Sequence, residues 1–342
     1  MMRWTPIAAL VFLSGCFFED KPETLRFSGE TMGTTYNVVA IGVDLDEGAL
    51  GTGIETALAD VNGKLSNWDP NSEVSTFSNS PSTLPQSISA DFAKVMSAAG
   101  EVHVASGGQF DVTLGPLIEL WGFGPRKPED PIPSDVAIAE ALSGVGQARL
   151  LSLNPEGPTL AKAAPDVGVN LSAIAKGFGI DAVSAVLADA GVEHYMVEIG
   201  GDLYARGKNP NGDPWRIGIE TPEPGAQGGL ELIVPVSDKG MATSGDYRNF
   251  FEQDGVRYSH IIDPTTGRPI THRTTSVTVL SENAMLADAW ATAMLVLGAE
   301  RGLKVANDHN LAVYFISRSA NDAEGDYITL QSNSFAAAQS SN

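Results

Sequence analysis

The sequence has a single cysteine and only five histidines among its 342 residues. One cysteine cannot build a disulfide framework or a thiolate zinc site, and histidines scattered one by one disfavour a histidine-rich metal centre. No apolar run reaches the roughly 20 residues that a membrane-spanning helix needs. Basic residues are also few, 21 against 42 acidic ones, for a formal net charge of -21. Such a surface repels nucleic acid, so DNA and RNA are set aside as partners.

Several catalytic signatures are missing too. The chain has no Gly-x-x-x-x-Gly-Lys-Ser/Thr loop and no Gly-x-Gly-x-x-Gly between a strand and a helix, which argues against P-loop and Rossmann nucleotide binding. It also lacks His-Glu-x-x-His and Gly-x-Ser-x-Gly, so zinc proteolysis and hydrolase-type serine catalysis have no support. What the chain does have is 43% hydrophobic residues, which is ample for a core.

The N-terminus has the pattern of a targeting signal. Residues 1–15 begin with a positive charge and continue into an apolar stretch that is too short to span a membrane. The run Leu13-Ser14-Gly15-Cys16 resembles the bacterial lipobox, in which the cysteine is lipidated and becomes the mature N-terminus. The alternative is an ordinary secretory signal with an incidental cysteine. We expect lipidation at Cys16, a tether over 16–24, and a cell-membrane anchor on the periplasmic side.

Hydrophobic periodicity and capping residues outline the secondary structure. Helices are predicted over 46–66, from the N-cap Ser89 to about 106, after Ser134, over 173–190 with Ser172 as N-cap, and over 283–297. Strands are predicted in 25–42, 194–199, 215–220, 229–236, 256–262, 274–281 and 311–316, and a polar loop over 66–85. The strands lean towards hairpins, which favours an α+β fold over a doubly wound sheet. We expect one domain over 25–331 and a disordered tail over 332–342.

Asp288 and Thr292 lie four residues apart in the last predicted helix, so both oxygens fall on one face. A carboxylate and a hydroxyl are hard ligands suited to Mg²⁺. By itself the pair is more typical of a solvated aspartate and a threonine bonded to its own helix.

Three further segments combine polar groups with turns or helix starts. The first, Asn170–Gly177, spans a predicted helix start, where free N–H groups and Lys176 would attract phosphate; the alternative is a capped helix with a surface lysine. The second runs from Arg248 to the Asp-Pro-Thr-Thr-Gly turn after His260, a candidate base or hydrogen-bond donor; the alternative is a structural histidine and an arginine paired with a carboxylate. The third, 110–124, sets aromatic residues beside glycines that could flank a flat ring, or forms a core strand and loop.

Taken together, these segments resemble the ApbE family, the FAD:protein FMN transferases, over residues from about 28 to 317. Each stretch is modest alone, but all of them occur in the order found in that family. The matching stretches are Thr31–Tyr36, Phe110–Leu117, Leu171–Gly177, Glu198–Asp202, Ala242–Arg248, Ser259–Pro264 and Ala287–Thr292.

The resemblance implies a single ApbE-like (T-fold-like) domain, mainly antiparallel sheet with flanking helices. It implies that FAD is split at its pyrophosphate, that FMN is joined to a Thr or Ser of an acceptor protein, and that AMP leaves. The implied magnesium ligands are Asp288, Thr292 and the backbone carbonyl of Ala173. The implied FAD contacts are Met32, Asp69, Gln109, Phe110, Asp111, Asn170, Lys176, His260 and Ile262.

The resemblance also implies that His260 or Asp263 helps to deprotonate the acceptor hydroxyl. The implied acceptors are subunits of the Na⁺-translocating NADH:quinone reductase or of Rnf-type complexes. One position departs from the family, which usually has an acidic residue where this chain has Asn170, so we expect modest retuning of FAD contact or pH dependence. Two other functions stay open: an FAD pyrophosphatase that uses water in place of the acceptor, and a non-enzymatic flavin-binding lipoprotein.

Overall fold

A computed structural model describes residues 22–123, 131–222, 229–247, 249–319 and 326–340. The strands are β1 (Glu23–Thr31), β2 (Thr34–Gly42), β3 (Gln86–Ser87), β4 (Leu151–Asn154), β5 (Thr159–Lys162), β6 (His194–Ile199), β7 (Asp202–Arg206), β8 (Trp215–Glu220), β9 (Leu230–Val236), β10 (Lys239–Gly245), β11 (Phe250–Gln253), β12 (Val256–Ser259), β13 (Ile262–Asp263), β14 (Arg268–Pro269), β15 (Thr274–Ser281), β16 (Ala312–Arg318) and β17 (Tyr327–Gln331). The helices are α1 (Glu47–Leu65), α2 (Glu73–Asn79), α3 (Ala90–Ala105), α4 (Gly115–Trp121), α5 (Asp135–Ser143), α6 (Gln147–Leu150), α7 (Ala175–Asp189), α8 (Ala284–Asp308) and α9 (Asn333–Ser340).

The main sheet has eight strands in the order β1-β2-β6-β7-β10-β15-β16-β17. Neighbouring strands pair antiparallel along its whole width. Smaller sheets join β3-β5-β4, β8-β9, β11-β12 and β13-β14. The α+β prediction and the mainly antiparallel sheet are therefore confirmed.

Both faces of the main sheet are covered, which follows from the period-two alternation of its strands. In β2, Val38 and Ala40 face α1 and α7, whereas Val39 and Ile41 belong to a cluster on the opposite face. Helices α3 and α8 cover the other half of the first face. Hairpin β8-β9 and helix α9 cover the second face. The main sheet is therefore the middle one of three layers.

The start of α8 packs unusually close to its neighbours, because two glycines face it. A Cβ on Gly177 of α7 would lie 2.3 Å from the carbonyl oxygen of Ala284, and one on Gly240 of β10 would lie 2.4 Å from the backbone of Asn283. Only residues without a side chain allow this approach. The two glycines therefore determine where the first turn of α8 sits.

Several predicted elements are confirmed. Helix α1 buries its apolar stripe of Leu50, Ile54, Leu58, Val61 and Leu65. The hydroxyls of Ser89 and Ser134 accept backbone N–H groups of α3 and α5 as predicted. Gly298 has a φ of 73° and interrupts α8 at the place where the helix predicted over 283–297 was expected to end. Helical residues continue beyond it.

Four predictions are wrong. The polar loop contains α2, which is capped by Ser72 and is too short to show a periodicity. Ser172 is not an N-cap, because α7 begins at Ala175 and its cap residue makes no side-chain bond. Strand β1 begins within the expected tether. The tail forms α9, because the aromatic ring of Phe335 is fully buried against the second face of the sheet.

The predicted lipidation site, Cys16, and the signal segment before it lie outside the described residues, as does Arg248. Within the described ranges, none of the helices combines the length and the apolar character needed to cross a membrane.

Candidate functional site

A cavity of about 730 Å³ brings together most of the residues predicted for the site. It is bordered by α4, the turn before α7, the connection from β12 to β13, and the first half of α8. The predicted residues that line it are Gln109, Phe110, Asp111, Asn170, Ala173, His260, Ile262, Asp288 and Thr292.

A smaller cavity of about 140 Å³ adjoins the large one and is lined by Met32 and Lys176. The two cavities share Asn67, Trp68 and Ser172. Two predicted residues line neither. Asp69 accepts the N–H of Asn71 through Oδ1 at 2.9 Å, and Asp263 accepts both the N–H and the hydroxyl of Thr265, at 2.7 and 2.6 Å.

Asp288 is buried on the inner face of α8, with 4% of its surface exposed. Its Oδ2 accepts the N–H of Gly177 at 3.0 Å, and its Oδ1 lies 3.5 Å from Nζ of Lys176. Lys176 also donates to the buried carboxylate of Asp202, which in turn accepts the N–H of Thr243. Asp288 is therefore buried and hydrogen-bonded to α7 beside Lys176, not solvated as the alternative supposed.

The hydrogen bond from Gly177 to Asp288 also affects Ala173. In a continuous helix the N–H of Gly177 would donate to the carbonyl four residues earlier, which belongs to Ala173. Because that N–H donates to Asp288 instead, the carbonyl of Ala173 is released from the helical ladder in the turn where α7 starts. Ala173 lines the cavity together with Asp288.

These donors suit a hard cation. They are a carboxylate, the hydroxyl of Thr292, whose Oγ1 lies 3.3 Å from Oγ of Ser244, and a released carbonyl. Within the described parts of the chain, no three His, Cys, Asp or Glu side chains cluster to hold a metal. A softer metal would lack ligands here, whereas Mg²⁺ needs few protein oxygens when water and phosphate complete its shell. The residues present therefore fit magnesium.

His260 lines the cavity with its ring orientation set by the backbone. Its Nδ1 lies 2.9 Å from the carbonyl oxygen of Asn249. A carbonyl only accepts, so Nδ1 carries the proton and Nε2 of the neutral ring keeps a free lone pair. Burial lowers the pKa of His260 below its usual 6.5, although the bond to Asn249 and the charge of Asp246 oppose the shift. His260 is therefore neutral at pH 7 and able to accept a proton.

A chain of aromatic rings supports His260. The ring of Phe123 lies 6.4 Å from that of His260 and 5.6 Å from that of Phe251. Phe251 stacks on Tyr258 at 5.0 Å, and Tyr258 lies 5.7 Å from Trp121. Of these rings, Phe123 and His260 line the cavity. Trp121 belongs to α4, and Phe251 and Tyr258 belong to hairpin β11-β12. The contact of aromatic rings with a flat ligand stays a prediction.

Asp111 lines the cavity but uses its carboxylate inside the protein. Its Oδ1 accepts the N–H and the hydroxyl of Thr113, and its Oδ2 accepts the N–H of Gln147 at 2.9 Å. Its neighbour Gln109 is 2% exposed, and within the described structure its Oε1 has no donor. A buried acceptor without a donor is costly, so Gln109 is suited to accept a hydrogen bond from a ligand.

Asn170 bends the chain into the turn before α7. Its Oδ1 accepts the N–H and the hydroxyl of Ser172, at 3.0 and 2.6 Å. This explains why Ser172 does not cap the helix: its hydroxyl donates to Asn170. Asn67 braces the same turn, accepting the N–H of Leu171 and donating to the carbonyl of Val169, each at 2.7 Å.

The sequence analysis missed four residues around the cavity: Asn67, Trp68, Asp202 and Ser244. Trp68 carries the only signal that could have found it, since an apolar aromatic inside a polar loop is unusual; it is 86% exposed and lines both cavities. Asp202 and Ser244 fall in two of the stretches that resemble the ApbE family, which gave them no role of their own. Asn67 is recognised only by its contacts with residues far away in the sequence.

The ApbE family model matches residues 32–315 of the chain. An FAD:protein FMN transferase of Vibrio cholerae serotype O1 is 44% identical over 325 residues, which are 93% of this chain and 95% of that protein. An FAD:protein FMN transferase of Haemophilus influenzae is 43% identical over 338 residues, which are 96% of this chain and 95% of that protein.

Solved structures agree with these matches. The flavin transferase ApbE from Vibrio cholerae superposes with a TM-score of 0.83 at 42% identity, covering 92% of this chain and 99% of that one. The flavinyl transferase ApbE from Pseudomonas stutzeri, in its apo form, gives a TM-score of 0.83 at 35% identity, covering 94% and 98%. Fold and sequence are thus similar to the same group of proteins over nearly their full lengths.

Proposed function

This chain belongs to the ApbE family and is an FAD:protein FMN transferase, and we propose that it joins FMN to a threonine or serine hydroxyl of an acceptor protein and releases AMP. The observation that carries the proposal is the meeting of Asp288, Thr292, Ala173 and His260 around one cavity. Cleavage of a pyrophosphate requires charge neutralisation and alignment more than a strong nucleophile. The cavity offers groups that could neutralise charge and groups that could align the substrate.

Asp288, Thr292 and the carbonyl of Ala173 would hold Mg²⁺, with water and phosphate oxygens as its other ligands. When bound, the ion would neutralise charge on the phosphate oxygens of FAD. Support comes from the oxygen donors described above and from the formal charge of -21, which forces an anionic substrate to be neutralised locally. Lys176, 3.5 Å from Asp288, adds a second positive group near the same place.

The FAD contacts in this proposal are the cavity residues and their neighbours. Gln109 would accept a hydrogen bond from the ligand, since its Oε1 is buried without a donor in the described structure. Phe123 would pack against a flat ring. Asn170, in place of the acid usual in the family, would contact FAD without adding charge. The remaining proposed contacts are Met32, Phe110, Asp111, Lys176, His260 and Ile262, each of which lines one of the two cavities, and Asp69, which follows Trp68 in the chain.

Transfer begins at the acceptor hydroxyl. Nε2 of His260 takes the proton while the hydroxyl oxygen bonds to the flavin-side phosphorus of FAD, and the bond from that phosphorus to the bridging oxygen breaks as AMP leaves. His260 is a better candidate for this proton than Asp263. Within the described residues its Nε2 has no hydrogen-bond partner, whereas the carboxylate of Asp263 already accepts two hydrogen bonds from Thr265.

The proposed acceptors are subunits of the Na⁺-translocating NADH:quinone reductase or of Rnf-type electron-transfer complexes. The proposed location is the periplasmic side of the cell membrane, with the chain held by lipid on Cys16. The lipobox-like sequence and the preceding signal pattern support this location.

Incubation of the purified protein with FAD, Mg²⁺ and an acceptor subunit of either complex tests the proposal. We expect the acceptor to gain the mass of one FMN less water, with one AMP released per modified acceptor, and both to stop when EDTA removes magnesium. Free FMN and AMP without a modified acceptor would replace the proposal with FAD pyrophosphatase activity. Intact FAD bound to the protein would replace it with flavin binding alone.

A further inference from the structure

The carboxylate of Asp181 lies outside the cavity and is not explained by the function proposed above. It is on α7, one turn after Gly177, and faces the start of α8. Its Oδ1 accepts the N–H of Ala284 at 2.8 Å, and its Oδ2 accepts the N–H of Met285 at 3.0 Å. These N–H groups belong to the first turn of α8, where no earlier carbonyl of the helix can accept them.

Asp181 and Asp288 form a reciprocal arrangement between two helices. Asp181 on α7 accepts two N–H groups from the start of α8, and Asp288, one turn into α8, accepts the N–H of Gly177 on α7. Residues four apart lie on the same helix face, so Gly177 and Asp181 face α8 as Ala284 and Asp288 face α7. The two carboxylates thus hold the helices in one relative position.

The packing leaves little freedom for that position to change. The glycine contact puts the backbone of Gly177 directly against Ala284, since even a Cβ there would lie 2.3 Å from its carbonyl oxygen. Because a helix moves nearly as a rigid rod, a displacement of its first turn carries Asp288 with it. Metal ligands tolerate little displacement, and Mg²⁺ demands near-ideal geometry.

The chemistry at Asp181 requires a carboxylate. Two N–H donors need two acceptor oxygens, and a carboxylate offers two, whereas the amide of asparagine offers one oxygen and would direct its NH₂ at the second N–H. The positive end of the α8 dipole also favours a negative group at this place. Burial raises the pKa of Asp181 to about 6, so holding a charge there is costly. The two N–H donors at the start of α8 therefore favour a carboxylate at position 181.

We propose that Asp181 is a positioning residue that sets the place of Asp288 through the start of α8 and so determines the affinity of the site for magnesium. This inference rests on the proposed function, because it assigns Asp288 to a cation. Asp181 touches neither FAD nor the ion; it acts through Ala284, Met285 and the helix that carries Asp288.

The test compares Asp181→Asn with Asp46→Asn. Asp46 is also an aspartate that accepts an N–H at a helix start, that of Ala49 at 2.9 Å, but on α1 and away from the cavity. We expect Asp181→Asn to raise the Mg²⁺ concentration for half-maximal FMN transfer by roughly tenfold, the lower end of what loss of an outer-shell partner does to metal sites. Saturating Mg²⁺ should restore turnover to within about twofold, and Asp46→Asn should leave the magnesium requirement unchanged.

Two further measurements separate positioning from folding. Binding of Mn²⁺ alone, followed by electron paramagnetic resonance, should weaken in Asp181→Asn, and FAD binding without metal should stay the same. If Asp181→Asn does not fold, Asn283→Ala replaces it, since Asn283 accepts the N–H of Leu286 at the same helix start. There we expect a smaller shift, about threefold, in the same direction.

An unchanged magnesium requirement in the folded Asp181→Asn variant, with only its unfolding free energy lowered, would overturn the inference and leave the proposed function standing. A wild-type protein that transfers FMN without magnesium would overturn both. A loss of turnover that no Mg²⁺ concentration restores would also count against positioning.

Discussion

The two sides of the large cavity are built from different interactions. The charged side has Ala173, Asp288 and Thr292 at the cavity, with Lys176 and Asp202 next to them, and is held by directional hydrogen bonds between α7, α8 and β10. The aromatic side has Phe123 and His260 at the cavity and is held mainly by ring contacts that continue from Phe123 to Phe251, Tyr258 and Trp121.

This difference separates the two tasks of the site. Directional bonds between buried charges place a few oxygens accurately, which a cation and a pyrophosphate require. Ring contacts exclude water and accept a flat ligand without demanding one geometry. Changes on the charged side should therefore reduce turnover in a magnesium-dependent way, and changes on the aromatic side should affect ligand affinity, except at His260.

The largest effect is expected from removing the carboxylate of the charged side. We expect Asp288→Ala to lower kcat/KM for FMN transfer by roughly 10³-fold, because a positioned cation supplies several kcal/mol. Steady-state transfer assays measure this. The matched control is Asp308→Ala on the same helix, which loses only an exposed pair with Lys304 and should keep its activity. Full activity in Asp288→Ala would contradict the site assignment.

The next test asks whether His260 acts as a general base in transfer or only binds FAD together with the rings around it. We expect His260→Gln to lower the rate of transfer by roughly 10²-fold, as loss of a general base does, with FAD affinity nearly unchanged. Because burial lowers the pKa of His260, the acidic limb of the wild-type rate profile should lie below pH 6.5. The limb should vanish in the variant and persist in His309→Gln. A variant that loses FAD affinity and keeps its rate would make His260 a binding group only.

A smaller effect is expected from the rings alone. Phe123→Ala should raise the KM for FAD by about threefold to tenfold with little change in kcat, since a ring contact contributes about 0.5–1.5 kcal/mol. Phe123→Leu keeps an apolar side chain and loses the ring, so its KM for FAD should lie between those of the wild type and Phe123→Ala. Leu84→Ala, at a residue 72% exposed and outside the cavity, serves as control. A fall in kcat with unchanged KM would place Phe123 with the charged side.

The smallest effect is expected in the pH dependence of stability, through Asp181, which bonds the helix that carries Asp288, and through His260 on the aromatic side. Burial raises the pKa of Asp181, which lies near Lys94 and Asp288, to about 6, so the stability it contributes is present below pH 3.8 and is lost as the pH rises through 6. Burial lowers the pKa of His260, near Asp246, so its contribution is present above pH 6.5 and is lost as the pH falls. Each changes the slope by at most about 1.4 kcal/mol per pH unit.

Urea unfolding without magnesium, between pH 4 and 7, would measure these slopes. We expect the unfolding free energy of Asp181→Asn to rise more steeply with pH than that of the wild type between about pH 4 and 6. We expect the unfolding free energy of His260→Gln to rise less steeply with pH than that of the wild type below pH 6.5. Equal slopes in all three proteins would mean that neither group titrates differently in the folded state.

The parts of the fold that could be predicted are those with a local signal. Helix α1 shows its apolar stripe in the sequence, and β6, β8 and β15 match their predicted ranges, because alternation and β-branched residues mark them. Strand β10 was missed. Its Gly240, Ala242 and Ser244 are small because the start of α8 packs against this strand, and small residues carry little strand propensity.

The site was predictable to a similar extent. Asp288 and Thr292 share a helix, so their common face follows from a spacing of four. The bond from Gly177 to Asp288 joins residues 111 apart, and those from Asp181 to Ala284 and Met285 join residues 103 and 104 apart. No local pattern encodes such pairs.

The sequence alone was thus enough to locate α1 and strands such as β6, β8 and β15, to show which oxygens share a face of α8, and to identify the ApbE family to which the chain belongs. Tertiary contacts alone explain why the N–H of Gly177 donates to Asp288 and not to the carbonyl of Ala173. They also explain why the carboxylate of Asp111 is bonded inside the protein and why Asp181 accepts two N–H groups at the start of α8. Periodicity reports how one segment faces its surroundings, whereas a hydrogen bond depends on what the rest of the chain brings within about 3 Å.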